Sequence, residues 1–207
     1  MATVFLVGIL PYGNSAFSGE TIDSVLRRAK RLKRAVKQEL KPYRPVMGVL
    51  RTGQVKSFVA GDDGDLERGT SWPEPRFVDH GDGTITDKVT RLMWSKDARQ
   101  IPGKMNWREA IEACNDMALA DYDNWRMPNV RELLSLIDFG AYNPALPKGH
   151  PFSHVKPSDL YWSSTTSMPD SALAWTVSIM SGSARRYDKT NNLVYVWPVR
   201  RGSKDDW

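Results

Sequence analysis

Apolar and polar positions change period several times along this chain, and each change marks an element. Ala174-Trp175-Thr176-Val177-Ser178-Ile179-Met180 alternates strictly, the period of a half-buried strand. On that pattern Trp175, Val177 and Ile179 point inward, and Thr176, Ser178 and Met180 point outward. Tyr161 to Thr165 is a short strand before it. Arg185, Arg186 and Tyr187 lie on the strand after it. Leu193 to Val199 is a final strand whose Pro198 places it at an edge or a bulge. Upstream, residues 76–97 alternate around Gly81-Asp82-Gly83, a tripeptide suited to the positive dihedrals of a hairpin. Phe77, Val78, Ile85, Val89, Leu92, Met93 and Trp94 are the expected inward set.

Helical spacing occurs in three places. Asn129 with Glu132 three residues on is a capping box, and Leu133, Leu134, Leu136 and Ile137 supply the stripe up to Gly140. Asn106 with Glu109 repeats the box and starts a helix to about Leu119. Trp107, Ala110, Ile111, Cys114, Met117 and Ala118 share its inner face. The third helix is expected over residues 20–41, where Ile22, Val25, Ala29, Leu32 and Val36 follow spacings of three and four. That is a heptad seam of about two repeats. Residues 42–75 and 140–159 carry many Pro and Gly residues and read as irregular.

Composition changes this picture at three points. Eight tryptophans among 207 residues imply an aromatic, rigid core. The single cysteine, Cys114, excludes an intrachain disulfide and a Cys/His metal framework. The formal charge of +5 is unevenly placed: residues 21–44 hold nine Lys/Arg against Asp23 and Glu39, a local +7, which leaves −2 for the rest. Three readings of the basic helix stay open. It docks on the main domain, or it assembles copies into a homo-oligomer, or it meets nucleic acid or an anionic membrane. Nucleic acid is the weakest partner, because no aromatic precedes Tyr43 in the basic stretch. No run approaches the roughly 20 apolar residues of a membrane span. Val4 to Leu10 is either a signal-peptide remnant without its basic start or an N-terminal strand.

Metal-ligating chemistry has two weak candidates. Asp62, Asp63, Asp65 and Glu67 crowd one loop without EF-hand order, and a solvated turn is the simpler reading. Asp79, Asp82 and Asp87 flank the hairpin, which needs Asp and Gly there in any case. Neither a metal nor a cofactor is expected.

Several stretches, taken in order, resemble one family. They are Arg76 through Asp87, Leu92-Met93-Trp94, Asp123-Asn124-Trp125-Arg126-Met127-Pro128-Asn129 into Arg131-Glu132-Leu133, and Asn143-Pro144-Ala145-Leu146-Pro147. Tyr161-Trp162-Ser163-Ser164-Thr165-Thr166, Ala174-Trp175 and Tyr195-Val196-Trp197-Pro198-Val199-Arg200 complete the set. Together they resemble the Lcl C-terminal domain family of the C-type-lectin-like superfamily, over about residues 51–201. Ala60-Gly61-Asp62-Asp63-Gly64 and Trp72-Pro73 resemble that family's lead-in.

The resemblance implies an α+β fold of C-type-lectin-like construction, two helices packed on a small twisted antiparallel sheet, preceded here by the basic helix. The implied division is a segment 1–50, a ligand-binding domain 51–201 and a tail 202–207. The resemblance also implies a non-catalytic protein that binds a protein or glycan, at a cell surface, secreted or on a virion. Some members with this fold are variable proteins of diversity-generating retroelements, whose outward residues on the last strands are diversified. The matching candidates here are Ser167, Met168, Asp170, Ser171, Thr176, Ser178, Met180, Arg185, Arg186 and Tyr187.

Two departures qualify this. Many relatives pair a cysteine on the first helix with one near the last strand, where this chain has Trp197. The calcium-dependent sugar motif of true C-type lectins is absent too. The competing functions are an oligomeric adhesive or structural surface protein and, by superfamily analogy, a formylglycine-generating type of enzyme. The enzyme needs a reactive thiol, and Cys114 falls on an apolar helix face.

Overall fold

A computed structural model describes residues 48–156 and 158–202. The expected basic helix and the Val4–Leu10 run lie outside the described residues. The elements run α1 (Asp63–Leu66), β1 (Phe77–Asp79), β2 (Thr84–Asp87), β3 (Leu92–Ser95), α2 (Trp107–Asn115), α3 (Val130–Ser135), β4 (Leu160–Thr166), β5 (Leu173–Ser178), β6 (Ala184–Asp188) and β7 (Val199–Arg201). The class is α+β. The strands form two antiparallel sheets, ordered β1-β2-β3-β7 and β4-β5-β6, in place of the single small sheet expected.

Both capping boxes form. The Asn106 side chain accepts from the Glu109 N–H while Glu109 accepts from the Asn106 N–H, each at 3.0 Å. Asn129 and Glu132 do the same at 3.0 and 2.8 Å. Each box satisfies donors that the first turn leaves orphaned. Both helices end earlier than their stripes suggest. Beyond α2 the chain folds into a tight turn in which Leu119 and Tyr122 exchange backbone hydrogen bonds, with Ala120 and Asp121 at positive φ. Beyond α3 the Asp138 N–H leaves the helix to bond the Ala145 carbonyl at 3.0 Å. Leu136 and Ile137 stay buried, so the stripe outlasts the helix.

The β1–β2 hairpin turns through Gly81-Asp82-Gly83, with both glycines at positive φ. Its three aspartates are structural. Asp79 accepts from Gly81 N–H and pairs with Lys96, Asp82 accepts from the Thr84 N–H and hydroxyl, and Asp87 meets Arg76.

The three-stranded sheet is an inner layer. Val177 on β5 lies beside Tyr161 and Ala184, and this face shares a cluster with Leu133, Leu136, Ile137, Trp94 and Trp197. The opposite face carries Trp162, Ala174 and Tyr187, which share a second cluster with Ala110 and Cys114 of α2 and with Met127, Val194 and Val196. One helix therefore covers each face. Stiff indoles tie the clusters to the backbone. The Trp197 Nε1–H donates to the Ser95 carbonyl, Trp162 to Met105 and Trp107 to Ser163, at 2.8 to 2.9 Å.

The expected last strand, 193–199, is replaced by a connector. Residues 194–195 make isolated bridges to Met105 and Tyr161, and only Val199–Arg201 enters a sheet, beside β3. Pro198 sits at this junction, and its own carbonyl still accepts from Ser95 N–H. A connector spanning two sheets cannot hold one register, which is why a strand-like sequence gives so little strand.

Candidate functional site

The ten candidate surface residues fall into three groups. The β4–β5 turn, 167–172, is closed at its base by the Ser167 N–H donating to the Leu173 carbonyl at 2.9 Å. Asp170 braces its far side, the carboxylate accepting from Ala172 N–H at 2.9 Å. That frame leaves Met168 90% exposed, with Asp170 and Ser171 also exposed. Ser167 is fully buried and its hydroxyl has no partner, so the expectation of a surface Ser167 is corrected.

The second group lies on β6, the outer strand of its sheet. Arg185 and Arg186 are exposed and Tyr187 is half-buried. Arg186 stands opposite Trp175, its guanidinium 5.9 Å from the indole centroid. Among the described residues no strand pairs with the outer side of β6. The first and second groups adjoin, because the Lys189 N–H donates to the Ala172 carbonyl at 3.0 Å. Asp188 ends the strand. Its carboxyl accepts from the Asn191 and Thr190 N–H groups and the Thr190 hydroxyl, which hold it below the ordinary carboxylate value.

The third group lies along β5 toward the opposite end of the sheet. Thr176 is fully buried and Ser178 is 8% exposed, so both outward expectations are overturned. The reason is the second helix layer: the face opposite Val177 is covered by α2 and the 193–198 connector instead of meeting water. A buried hydroxyl is tolerable when bonded, and Thr176 donates to the Arg185 carbonyl at 3.3 Å. Trp175, expected inside, is half-buried, while Val177 and Ile179 are inside as expected. Met180 is 38% exposed but belongs to the far turn, where its carbonyl accepts from Asn143 N–H.

Two hollows escape a sequence reading. One, of about 390 Å³, opens beside the 167–172 turn and is lined by Asn106, Trp107, Arg108, Ile111, Glu112, Lys189 and Thr190. The Lys189 ammonium sits 4.1 Å over the Trp107 ring and donates to the Thr166 hydroxyl at 2.8 Å. Only Trp107 at a helix start hinted at it. The other, of about 460 Å³, is lined by Thr90, Arg91, Leu92, Arg126, Glu132, Arg201 and Gly202. Arg126 is committed there to a two-point pair with Glu132 at 2.8 and 2.6 Å. These arginines are scattered along the sequence, and no local pattern joins them.

The acidic loop is a scaffold. Asp62 caps α1 by accepting from the Asp65 N–H at 2.9 Å, and Glu67 pairs with Arg51 at 2.6 Å. Among the described residues no three His, Cys, Asp or Glu side chains converge as metal ligands. Cys114 is fully buried, and burial pushes its thiol up to about 12. Among the described residues no helix is long and apolar enough to cross a membrane.

No curated protein matches the chain. The family model of the Lcl C-terminal domain matches residues 83–200, a narrower stretch than the 51–201 read from motifs but more than half of the 207 residues, and the chain belongs to that family.

Proposed function

We propose that this protein is a non-catalytic binding module of C-type-lectin-like construction. It presents the 167–172 turn and the outer edge of β6 to a protein or glycan ligand. The observation that carries this reading is the placement of Arg185 and Arg186, both exposed, on a strand whose outer side pairs with no strand among the described residues, beside a turn that holds Met168 almost wholly in solvent. Such a surface combines cations, a thioether and free main-chain groups on a rigid support, a mixture suited to macromolecular recognition. The working set is Met168, Asp170, Ser171, Arg185, Arg186 and Tyr187. The sealed thiol of Cys114 supports a role without covalent catalysis, because a thiol raised to about 12 offers almost no thiolate at neutral pH.

Display at a cell surface, in secretion or on a virion fits the reading. So does diversification of these positions by a retroelement. The second is tested by looking near the gene for a reverse transcriptase and a near-copy of the segment coding for residues 160–200; finding neither removes it. The binding reading is tested on protein and glycan arrays with the wild type and an Arg185→Ala/Arg186→Ala variant. The variant is expected to keep the wild-type melting temperature and to lose binding. Binding retained in full by the variant refutes this surface.

A further inference from the structure

Six large apolar side chains stand in solvent at the start of the described chain and beside it. Val55 is 71% exposed, Phe58 74%, Val59 67%, Leu66 47%, Phe139 54% and Tyr142 69%. A chain of hydrogen bonds holds the backbone at all of them but Val55. The Phe58 and Val59 N–H groups donate to the Asp62 carboxylate at 2.7 and 3.2 Å, and Asp62 caps the helix that carries Leu66. Asp63 on that helix accepts from the Thr52 hydroxyl. The Thr52 carbonyl in turn accepts from the Phe139 N–H at 2.8 Å. The Gly140 N–H donates to Asp138 at 2.8 Å, and the Asn143 N–H donates to the Met180 carbonyl at 3.0 Å, which fixes Tyr142 between them. The fold fastens these side chains outward.

We propose that this surface is the contact between two copies of this chain. Size is the first argument. Taking roughly 150–200 Å² for each residue, the six exposures together leave roughly 700 Å², close to the ~800 Å² each partner contributes to a stable interface. Charge is the second argument. The patch is bordered by exposed Lys56, Asp65 and Arg68, so its rim carries both signs, as a surface that must match itself across a twofold axis requires. Position is the third. In sequence, Val55, Phe58, Val59 and Leu66 come after the stretch where Ile22, Val25, Ala29, Leu32 and Val36 have heptad spacing. A seam of about two heptads is marginal alone. Any pairing through it raises the effective concentration of the patches carried by the same chains, and the patches supply apolar area that the seam lacks.

The test is the mass of the full chain by light scattering over a dilution series. One chain is 23.4 kDa. The wild type is expected to show a larger mass that falls on dilution. Phe58→Ser with Val59→Ser should weaken self-association on the order of a hundredfold, the scale of losing two central anchors. Tyr142→Ser should act in the same direction and carries the test if the double variant does not fold. Leu193→Ser, which changes a 60% exposed side chain outside the patch, should follow the wild-type curve. A wild type that stays at single-chain mass throughout overturns the proposal. So do folded patch variants whose dilution curves match the wild type.

Discussion

Replacing Asp87 by Asn should be among the most damaging changes of one atom in this fold. Asp87 is fully buried and receives the Arg76 guanidinium in a two-point pair, Nε at 3.0 Å and Nη2 at 2.8 Å. Arg76 is itself nearly sealed, its carbon centre 4.8 Å from the Trp72 ring and 4.9 Å from the Phe77 ring. Its Nη2 also donates to the Ser135 carbonyl at 2.6 Å, so the pair joins the first hairpin to the end of α3. The amide keeps one oxygen for the bonds that Asp87 receives from the Val89 N–H and the Thr90 hydroxyl. It removes the negative charge and leaves the guanidinium buried without compensation. Breaking one side of a buried pair costs about 3–5 kcal/mol, against a total stability of about 5–15 kcal/mol for a domain.

Urea unfolding followed by tryptophan fluorescence measures this. With a slope of about 2 kcal/mol per molar, the midpoint should fall by roughly 2 M. Adding Arg76→Met to Asp87→Asn removes the stranded charge and should recover about half of the loss, because the two changes are coupled. A cost below about 1 kcal/mol for Asp87→Asn would refute the argument, and so would a double variant whose loss equals the sum of the singles.

Three further outcomes follow from local geometry. Gly182 has φ +71, and a Cβ there would lie 2.5 Å from Ile137 Cγ2, so Gly182→Ala should cost about 2–4 kcal/mol by thermal melting; an unchanged melting temperature would contradict the packing of that turn on Ile137. Burial raises the Glu132 carboxyl, but Arg126 and the Asn129 N–H outweigh it and leave its pKa below 4.5. A depressed carboxylate contributes stability that is whole above the ordinary value and lost as pH falls through the folded value. Arg126→Ala should therefore flatten the acid limb of the stability curve by no more than about 1 kcal/mol, since the arginine side chain is 42% exposed; an acid limb as steep as in the wild type would count against this pair. Cys114, sealed and with its thiol pushed up to about 12, should resist a disulfide-exchange reagent in the native protein and react fully in urea. Rapid native labelling would mean that α2 opens readily.

Local chemistry was legible in the sequence wherever the partners lie within one turn of each other. Asn106 and Glu109, like Asn129 and Glu132, meet across three residues, so the box fixes each helix start whatever the rest of the chain does. Helix ends are another matter. Leu136 and Ile137 continue the apolar stripe of α3 because they are core residues, yet the chain has already turned toward Ala145. Burial and helicity coincide only while the helix runs along the surface it covers. The same limit removes most of the 193–199 strand: Val194, Val196 and Trp197 are buried in two different clusters, and the pairing of the stretch is split between isolated bridges.

The proposed face was half legible for a related reason. Alternation states which residues of β5 share a side and says nothing of what lies over each side. Strict alternation points Thr176 and Ser178 outward, but a hydroxyl is small enough to sit under a helix once its proton has an acceptor, as Thr176 has in the Arg185 carbonyl. Arg185 and Arg186 stay outside on the outer strand of their sheet, where no further strand pairs among the described residues. In a sheet covered on both sides, side chains change freely only along an uncovered edge and in the turns. The proposed recognition surface on this frame is therefore drawn toward β6 and the 167–172 turn, and substitutions at Met168, Asp170, Ser171, Arg185 and Arg186 should leave the two clusters on either side of β5 undisturbed.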